Sequence, residues 1–140
     1  MRNSPTQELI STIEAKARAA GSVEEVLWAI VRTLQANLPK YNWVGFYMID
    51  KSSSQPMLNL GPFAGAATPH TRIPLNQGIC GAAAASGETV VVDDVNRDPR
   101  YLSCSIETKS EIVAPVFVNG AVVGELDIDS HTPAAFGPED

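Results

Sequence analysis

Apolar side chains recur at helical spacing in two segments near the N-terminus. From Ser4 to Ala20 the serine is suited to cap a helix, Pro5 suits the first helical position, and aliphatic residues repeat every three or four positions. From Ser22 to Asn37, the serine and Glu25 have the spacing of a capping box in front of a continuous apolar stripe. The pattern therefore predicts two amphipathic helices.

Beyond these helices the periodicity changes to the two-residue alternation of strands. Tyr41 to Asp50 is rich in aromatic and β-branched residues, and a polar loop separates it from a second strand, Met57 to Gly61. Farther on, Ser110 to Val118 and Ala121 to Asp129 flank the pair Asn119-Gly120, which is the residue pair that tight hairpin turns favour. These segments predict two antiparallel hairpins.

The middle of the chain mixes element types. Gly78 to Gly87 predicts a short helix ended by its glycine, Thr89 to Val92 predicts a strand, and the polar loop from Asn96 to Ser110 is expected to be mobile. The order of elements predicts a single α+β domain over residues 1–140, an antiparallel sheet with the N-terminal helices packed on one face. Phe136 to Asp140 is typical of the start of a helix, so we expect the natural chain to continue.

Composition and charge narrow the possible partners. A chain of 140 residues with 44% hydrophobic and 19% charged residues fits one globular domain. Its net charge of -6 disfavours binding to a phosphate backbone. No apolar run approaches the roughly 18 residues of a membrane span, and the N-terminus lacks the features of a secretory signal. We therefore expect a cytoplasmic protein that binds neither nucleic acid nor membranes.

The two cysteines, Cys80 and Cys104, are too few for a secreted disulfide scaffold. Cys80 lies near the start of the predicted short helix, where backbone amides and the helix dipole favour a thiolate, whereas Cys104 lies in the polar loop. A cysteine in a small intracellular domain is otherwise typical of an inert, buried side chain. Their spacing does not decide between these interpretations.

Six short motifs resemble, in order and spacing, those of the free methionine-(R)-sulfoxide reductases, which are GAF-domain enzymes. They are Trp43-Val-Gly-Phe-Tyr47, Gly61-Pro-Phe63, Arg72-Ile-Pro74, Gly78-Ile-Cys-Gly81, Ser110-Glu-Ile-Val-Ala-Pro115 and Gly124-Glu-Leu-Asp-Ile-Asp-Ser130. The resemblance covers most of residues 20–136 and implies a GAF-like fold. It also implies an oxidoreductase that needs no cofactor and reduces free L-methionine (R)-S-oxide to L-methionine.

The resemblance implies thiol chemistry at both cysteines. A thiolate attacks the sulfoxide sulfur, a cysteine sulfenic acid forms, and a second thiol converts it to a disulfide. In the family the cysteine that matches Cys104 usually attacks, whereas the helical position favours Cys80, so both assignments stay open. We expect the two sulfur atoms to lie close enough to bond, which requires α-carbons within about 7 Å of each other.

His70 occupies a position where members of that family commonly carry a third cysteine, two residues before Arg72-Ile-Pro74. Without that thiol the cycle must close between Cys80 and Cys104, use an external thiol, or turn over poorly. We expect His70 itself to be an exposed loop residue. A metal site is not expected, since His70 and His131 are the only histidines and no Cys-x-x-Cys pair accompanies them.

The resemblance assigns substrate binding to three acids and two aromatic residues. It places Glu111, Asp127 and Asp129 around the ammonium and sulfoxide groups, where crowding raises carboxyl pKa values and could supply a proton. Trp43 and Tyr47 share a strand face and could enclose the methyl–sulfur end of the ligand. Without the resemblance, the aromatic residues are typical of a core and the acids of a solvated strand face.

The partners follow from this chemistry. A disulfide formed at each turnover needs a cellular reductant, and thioredoxin is the expected donor. The two N-terminal helices carry more apolar surface than one sheet face covers, which predicts a homodimer. Two alternatives remain: a GAF module that binds a small ligand and signals to a partner, and a purely structural dimer module.

Overall fold

Three helices and six strands make up the parts of the chain that the computed structural model describes, which are residues 4–52, 54–102 and 105–140. In chain order they are α1 (Pro5–Ala19), α2 (Val23–Asn37), β1 (Trp43–Asp50), β2 (Met57–Ala64), β3 (Arg72–Pro74), α3 (Gly78–Ser86), β4 (Val90–Val92), a 3-10 turn (Val95–Arg97), β5 (Ser110–Val118) and β6 (Ala121–Ser130).

The strands form one sheet in the order β3-β2-β1-β6-β5-β4, and every neighbouring pair is antiparallel. Asn119 and Gly120 have φ angles of 51° and 80°, so the hairpin between β5 and β6 turns through two left-handed residues, as the Asn-Gly pair predicts. The predicted α+β class and antiparallel sheet are confirmed.

Both N-terminal helices begin at their predicted serine caps. The Ser22 side chain accepts a hydrogen bond from the Glu25 backbone N–H at 3.2 Å. The Glu25 carboxylate, however, accepts from the backbone N–H of Gly21 at 2.6 Å instead of completing the expected box at Ser22. The Glu25 side chain therefore bonds one residue farther back than a capping box requires, and it satisfies the backbone N–H of Gly21 between the two helices.

Two apolar clusters cover the two faces of the sheet. On one face Val31 of α2 packs with Val44 and Phe46 of β1, and α1 packs against α2. On the other face α3 places Ile79 and Cys80 against a second cluster. The N-terminal helices therefore occupy one face as predicted, and the short helix covers the opposite face.

Two short elements were not predicted. β3 has only three residues, too few for a recognisable alternation, and pairs with the start of β2. In the 3-10 turn, the Asp94 side chain accepts a hydrogen bond from the Asn96 backbone N–H at 3.1 Å, a local interaction of a kind common in loops. Within the described ranges, no helix has the length and apolar character needed to cross a membrane.

Candidate active site

Four acidic side chains lie buried on the sheet face that α3 covers. Glu125, Asp127 and Asp129 alternate along β6, and Glu111 on β5 pairs in register with Asp129. Their exposed fractions are 5% for Glu111, 0% for Glu125, and 4% for each aspartate. The interpretation of these acids as a solvated strand face is therefore wrong, because α3 and its flanking loops cover this side of the sheet.

Cys80, the third residue of α3, faces these acids. It is a buried free thiol, and its Sγ donates to Oδ2 of Asp127 at 3.5 Å. Burial, followed by the charges of Asp127 and Glu111, raises the pKa of the Cys80 thiol well above its usual range. The predicted thiolate at the helix start is therefore wrong, because desolvation and nearby negative charge outweigh the helix dipole.

Burial also shifts the carboxyl groups toward their protonated forms. It raises the pKa of Glu125 to about 8, with the Cys80 thiol partly opposing the shift. Burial and the charge of Asp127 raise the pKa of Glu111, and burial and the charge of Asp129 raise that of Asp127. Within the described ranges no ion pair joins a basic side chain to Glu111, Glu125 or Asp127. The cluster can thus hold protons at neutral pH.

Two aromatic rings stand beside the acids. Trp43 and Tyr47 of β1 have ring centroids 6.3 Å apart. The Trp43 indole N–H donates to the carbonyl of Ala66 at 2.9 Å, and the Tyr47 hydroxyl donates to the carbonyl of His70 at 2.7 Å. Both aromatic residues are buried, and their polar atoms fix the rings to the loop between β2 and β3.

Gly45 makes room for the Trp43 ring. A Cβ atom at Gly45 would lie 2.3 Å from a ring carbon of Trp43, so no larger residue fits while the indole keeps its position. Phe63 of β2, the register partner of Gly45, stacks on that indole, with centroids 5.7 Å apart and an interplanar angle of 21°. The Trp-Val-Gly-Phe-Tyr motif therefore specifies one ring position.

Two cavities open beside this cluster. The first has a volume of about 30 Å³ behind an open mouth, which is room for about one water molecule. Its lining includes Tyr47, His70, Cys80, Tyr101, Glu111 and Asp127. The second is lined by Trp43, Asp129 and His131, among others. Six of the seven predicted site residues thus line one of two cavities, and Cys104 lies outside the described residues.

Sequence reasoning missed three residues of this region. Glu125 continues the alternation of Asp127 and Asp129, so its spacing was an available signal. His70 is half-buried and lines the first cavity, so the expectation of an exposed loop residue is wrong. Tyr101 lines the same cavity from a loop with no periodic pattern.

One set of side chains in the first cavity could hold a metal ion. The Cys80 sulfur and one carboxylate oxygen each from Glu111 and Asp127 lie within 4.8 Å of one another. These three residues form no local sequence motif, because they lie on three different elements, α3, β5 and β6.

The GAF domain model matches residues 22–140, which is most of the chain. The chain belongs to the GAF domain family. This GAF domain is 38% identical over 109 residues to the free methionine-R-sulfoxide reductase of Saccharomyces cerevisiae, covering 77% of this chain and 58% of that protein. It is 40% identical over 94 residues to GAF domain-containing protein A of Dictyostelium discoideum, covering 67% of this chain and 57% of that protein.

A solved structure extends the comparison. The X-ray structure of free methionine-R-sulfoxide reductase from Neisseria meningitidis, in complex with its substrate, has a TM-score of 0.90 and 36% sequence identity, and the match covers 100% of this chain and 83% of that one. The resemblance to this reductase family is confirmed. This GAF domain spans 57% to 62% of the length of the curated relatives that it matches.

Proposed function

We propose that this GAF domain reduces free L-methionine (R)-S-oxide to L-methionine with electrons from thiols. The observation that supports it best is the meeting of Cys80, Glu111 and Asp127 in one cavity, where the acids have no basic partner within the described ranges. Such a cavity suits a ligand with a positive charge close to a group that a thiol can reduce. Free methionine sulfoxide carries both an ammonium and a sulfoxide.

The buried acids have two roles in this proposal. The ammonium of the ligand stabilises the ionised form of one carboxyl among Glu111, Asp127 and Asp129, because opposite charges lower a carboxyl pKa. A neighbouring carboxyl stays protonated, since burial and mutual repulsion raise its pKa, and donates its proton to the sulfoxide oxygen. A methionine sulfoxide residue within a peptide lacks the ammonium, so the site selects the free amino acid.

The two cysteines act in successive steps of the redox cycle. The Cys104 thiolate attacks the sulfoxide sulfur, the oxygen passes to the cysteine sulfur, and methionine leaves, so that Cys104 becomes a sulfenic acid. The Cys80 thiol then attacks this sulfenic acid, water leaves, and a Cys80–Cys104 disulfide forms. Cys80 suits the second step, because Asp127, once it has given up its own proton, can accept the thiol proton over 3.5 Å and so leave the thiolate that attacks.

The proposed cycle needs a cellular reductant. Thioredoxin, in the cytoplasm, reduces the disulfide by thiol–disulfide exchange and so completes the cycle.

A homodimer covers the apolar side of α1, since none of that helix's residues is buried and Ile10 is 49% exposed. A monomer at micromolar concentration in sizing experiments would contradict the dimer.

The test incubates the protein with dithiothreitol and the separate R and S epimers of free methionine sulfoxide, and measures methionine by chromatography. We expect methionine from the R epimer alone, and none from a peptide that contains methionine sulfoxide. With thioredoxin, its reductase and NADPH, activity should be lost in both Cys80→Ser and Cys104→Ser. Unchanged turnover in Cys80→Ser would show that an external thiol resolves the sulfenic acid.

A GAF sensor that binds a small ligand without turnover is the second candidate. It is favoured by the histidine at position 70, where reductases commonly carry a third cysteine, and by similarity to a relative named only for its GAF domain. Calorimetric binding of methionine sulfoxide without methionine production from either epimer would support the sensor.

A further inference from the structure

The first cavity contains a donor set that the proposed reaction does not fully explain. The Cys80 sulfur and carboxylate oxygens of Glu111 and Asp127 lie within 4.8 Å of one another. Their residues are only 6%, 5% and 4% exposed, so all three are more than nine-tenths buried. Thiolate and carboxylate ligands together suit Zn²⁺ and divalent cations of similar softness.

The spacing of two of these atoms matches a zinc coordination sphere. In a tetrahedral site with Zn–S of about 2.3 Å and Zn–O of about 2.0–2.2 Å, sulfur and oxygen ligands lie roughly 3.5–3.7 Å apart. The Cys80 sulfur lies 3.5 Å from Oδ2 of Asp127. These two ligands can therefore bind one ion without moving, and Glu111 needs only a small side-chain adjustment.

A second observation points to a missing cation. Oδ1 of Asp127 is buried, and no N–H or hydroxyl group of the described residues donates to it, although its side chain lines the cavity. Nor does any basic side chain in the described ranges form an ion pair with Asp127 or Glu111. A buried carboxyl avoids an unpaired charge by holding a proton or by coordinating a metal ion, and a divalent cation would take the place of the protons in this cluster.

We propose that Cys80, Glu111 and Asp127 form a binding site for one Zn²⁺ ion. The Zn–S bond replaces the S–H bond of Cys80, the protons held by Cys80 and by the carboxyl groups of Glu111 and Asp127 pass to solvent, and both carboxylates coordinate through oxygen. Water takes the fourth position, toward the mouth of the cavity. The ion fills the space given above to methionine sulfoxide, so zinc excludes the substrate; this exclusion rests on the proposed function, whereas the binding of zinc does not.

Cobalt provides a direct spectroscopic test. The protein is reduced with a phosphine, because dithiols chelate zinc, and titrated with Co²⁺ alone. We expect a thiolate-to-cobalt charge-transfer absorption that saturates at one ion per chain and disappears when Zn²⁺ is added. Absence of this absorption, or saturation at another stoichiometry, would overturn the proposal without the need for any variant.

Variants identify the ligands. Cys80→Ala should abolish the charge-transfer absorption, and Asp127→Asn should weaken zinc binding by at least about 100-fold, since even outer-shell changes cost 10–100-fold. The matched control is His131→Ala, because Nε2 of His131 lies 3.6 Å from Glu107 on the surface and could bind zinc adventitiously. Zinc affinity lost in His131→Ala or Cys104→Ser and retained in a folded Asp127→Asn would refute the assignment.

Steady-state kinetics distinguishes zinc binding from the proposed reductase activity. In an active enzyme, Zn²⁺ should raise the KM for free methionine-R-sulfoxide and leave kcat unchanged. A protein that binds one cobalt ion through Cys80 but reduces neither epimer would retain the metal site and lose the reductase proposal. An active reductase without the charge-transfer absorption would retain the reductase proposal and lose the metal site.

Discussion

Glu125 should make the protein less stable as the pH rises. Its side chain is fully buried, and burial raises its pKa from 4.5 to about 8. The folded state therefore holds a proton that the unfolded chain releases above pH 4.5. Because the folded form binds more protons, the free energy of unfolding falls with pH through this window.

The size of this effect follows from the pKa shift. Between pH 4.5 and about 8, the contribution amounts to about 5 kcal/mol, or about 1.4 kcal/mol per pH unit in the middle of the window. Glu125→Gln keeps the shape of the side chain but cannot ionise. We expect its free energy of unfolding to fall less steeply with pH than that of the parent protein, by about 1.4 kcal/mol per unit near pH 6.

Urea unfolding, followed by tryptophan fluorescence and circular dichroism from pH 5 to 8, measures this difference. The matched control is Glu14→Gln, which removes an exposed carboxyl from α1 and so changes the net charge equally. Parallel stability curves for the parent protein and Glu125→Gln would refute the argument that burial keeps this carboxyl protonated.

Three further substitutions test the site. Asp129→Asn should cut kcat/KM for free methionine-R-sulfoxide at least tenfold while urea unfolding shows an intact fold, because it removes a carboxyl that could hold the ammonium or supply a proton. Gly45→Ala should lower the free energy of unfolding by about 1–3 kcal/mol and change the fluorescence of Trp43, because the new Cβ would lie 2.3 Å from that ring. Tyr47→Phe should cost about 1 kcal/mol of stability in urea, because it removes the hydroxyl that donates to His70 at 2.7 Å.

A control substitution and the contradicting outcomes complete these tests. Asp93→Asn makes the same exchange at an exposed residue that lines neither cavity of the site, and it should leave KM unchanged. Full activity in Asp129→Asn would remove that residue from the site. Unchanged Trp43 fluorescence in Gly45→Ala, or unchanged stability in Tyr47→Phe, would show that neither ring depends on the contacts described.

Local patterns predicted the elements well, because each depends on a few neighbouring residues. Asn119-Gly120 determines its hairpin through backbone conformations that few other residue pairs adopt, and Ser22 begins α2 by accepting a hydrogen bond three residues ahead. The GAF-like class followed from the order of such elements together with the motifs.

Burial was not predictable from the same patterns. Asp127 and Asp129 alternate with apolar residues, which is equally typical of a solvated face and of a sheet covered on both sides. Only the packing of α3, which is distant in sequence, decides between them. The same packing reverses the expected shift at Cys80, because acids on β5 and β6 reach the thiol through space.

The pairing of β5 with β6 also has a consequence for the order of folding. Their hairpin contains only local contacts, so it can form early and align Glu111 with Asp129 while both are still hydrated and charged. Pairing of Trp43 with Asp129 spans most of the chain, and must follow more slowly. Dehydration of the acids therefore belongs to the late steps, when β1 and α3 close over them. At neutral pH the protein completes its fold by drawing protons from the solvent.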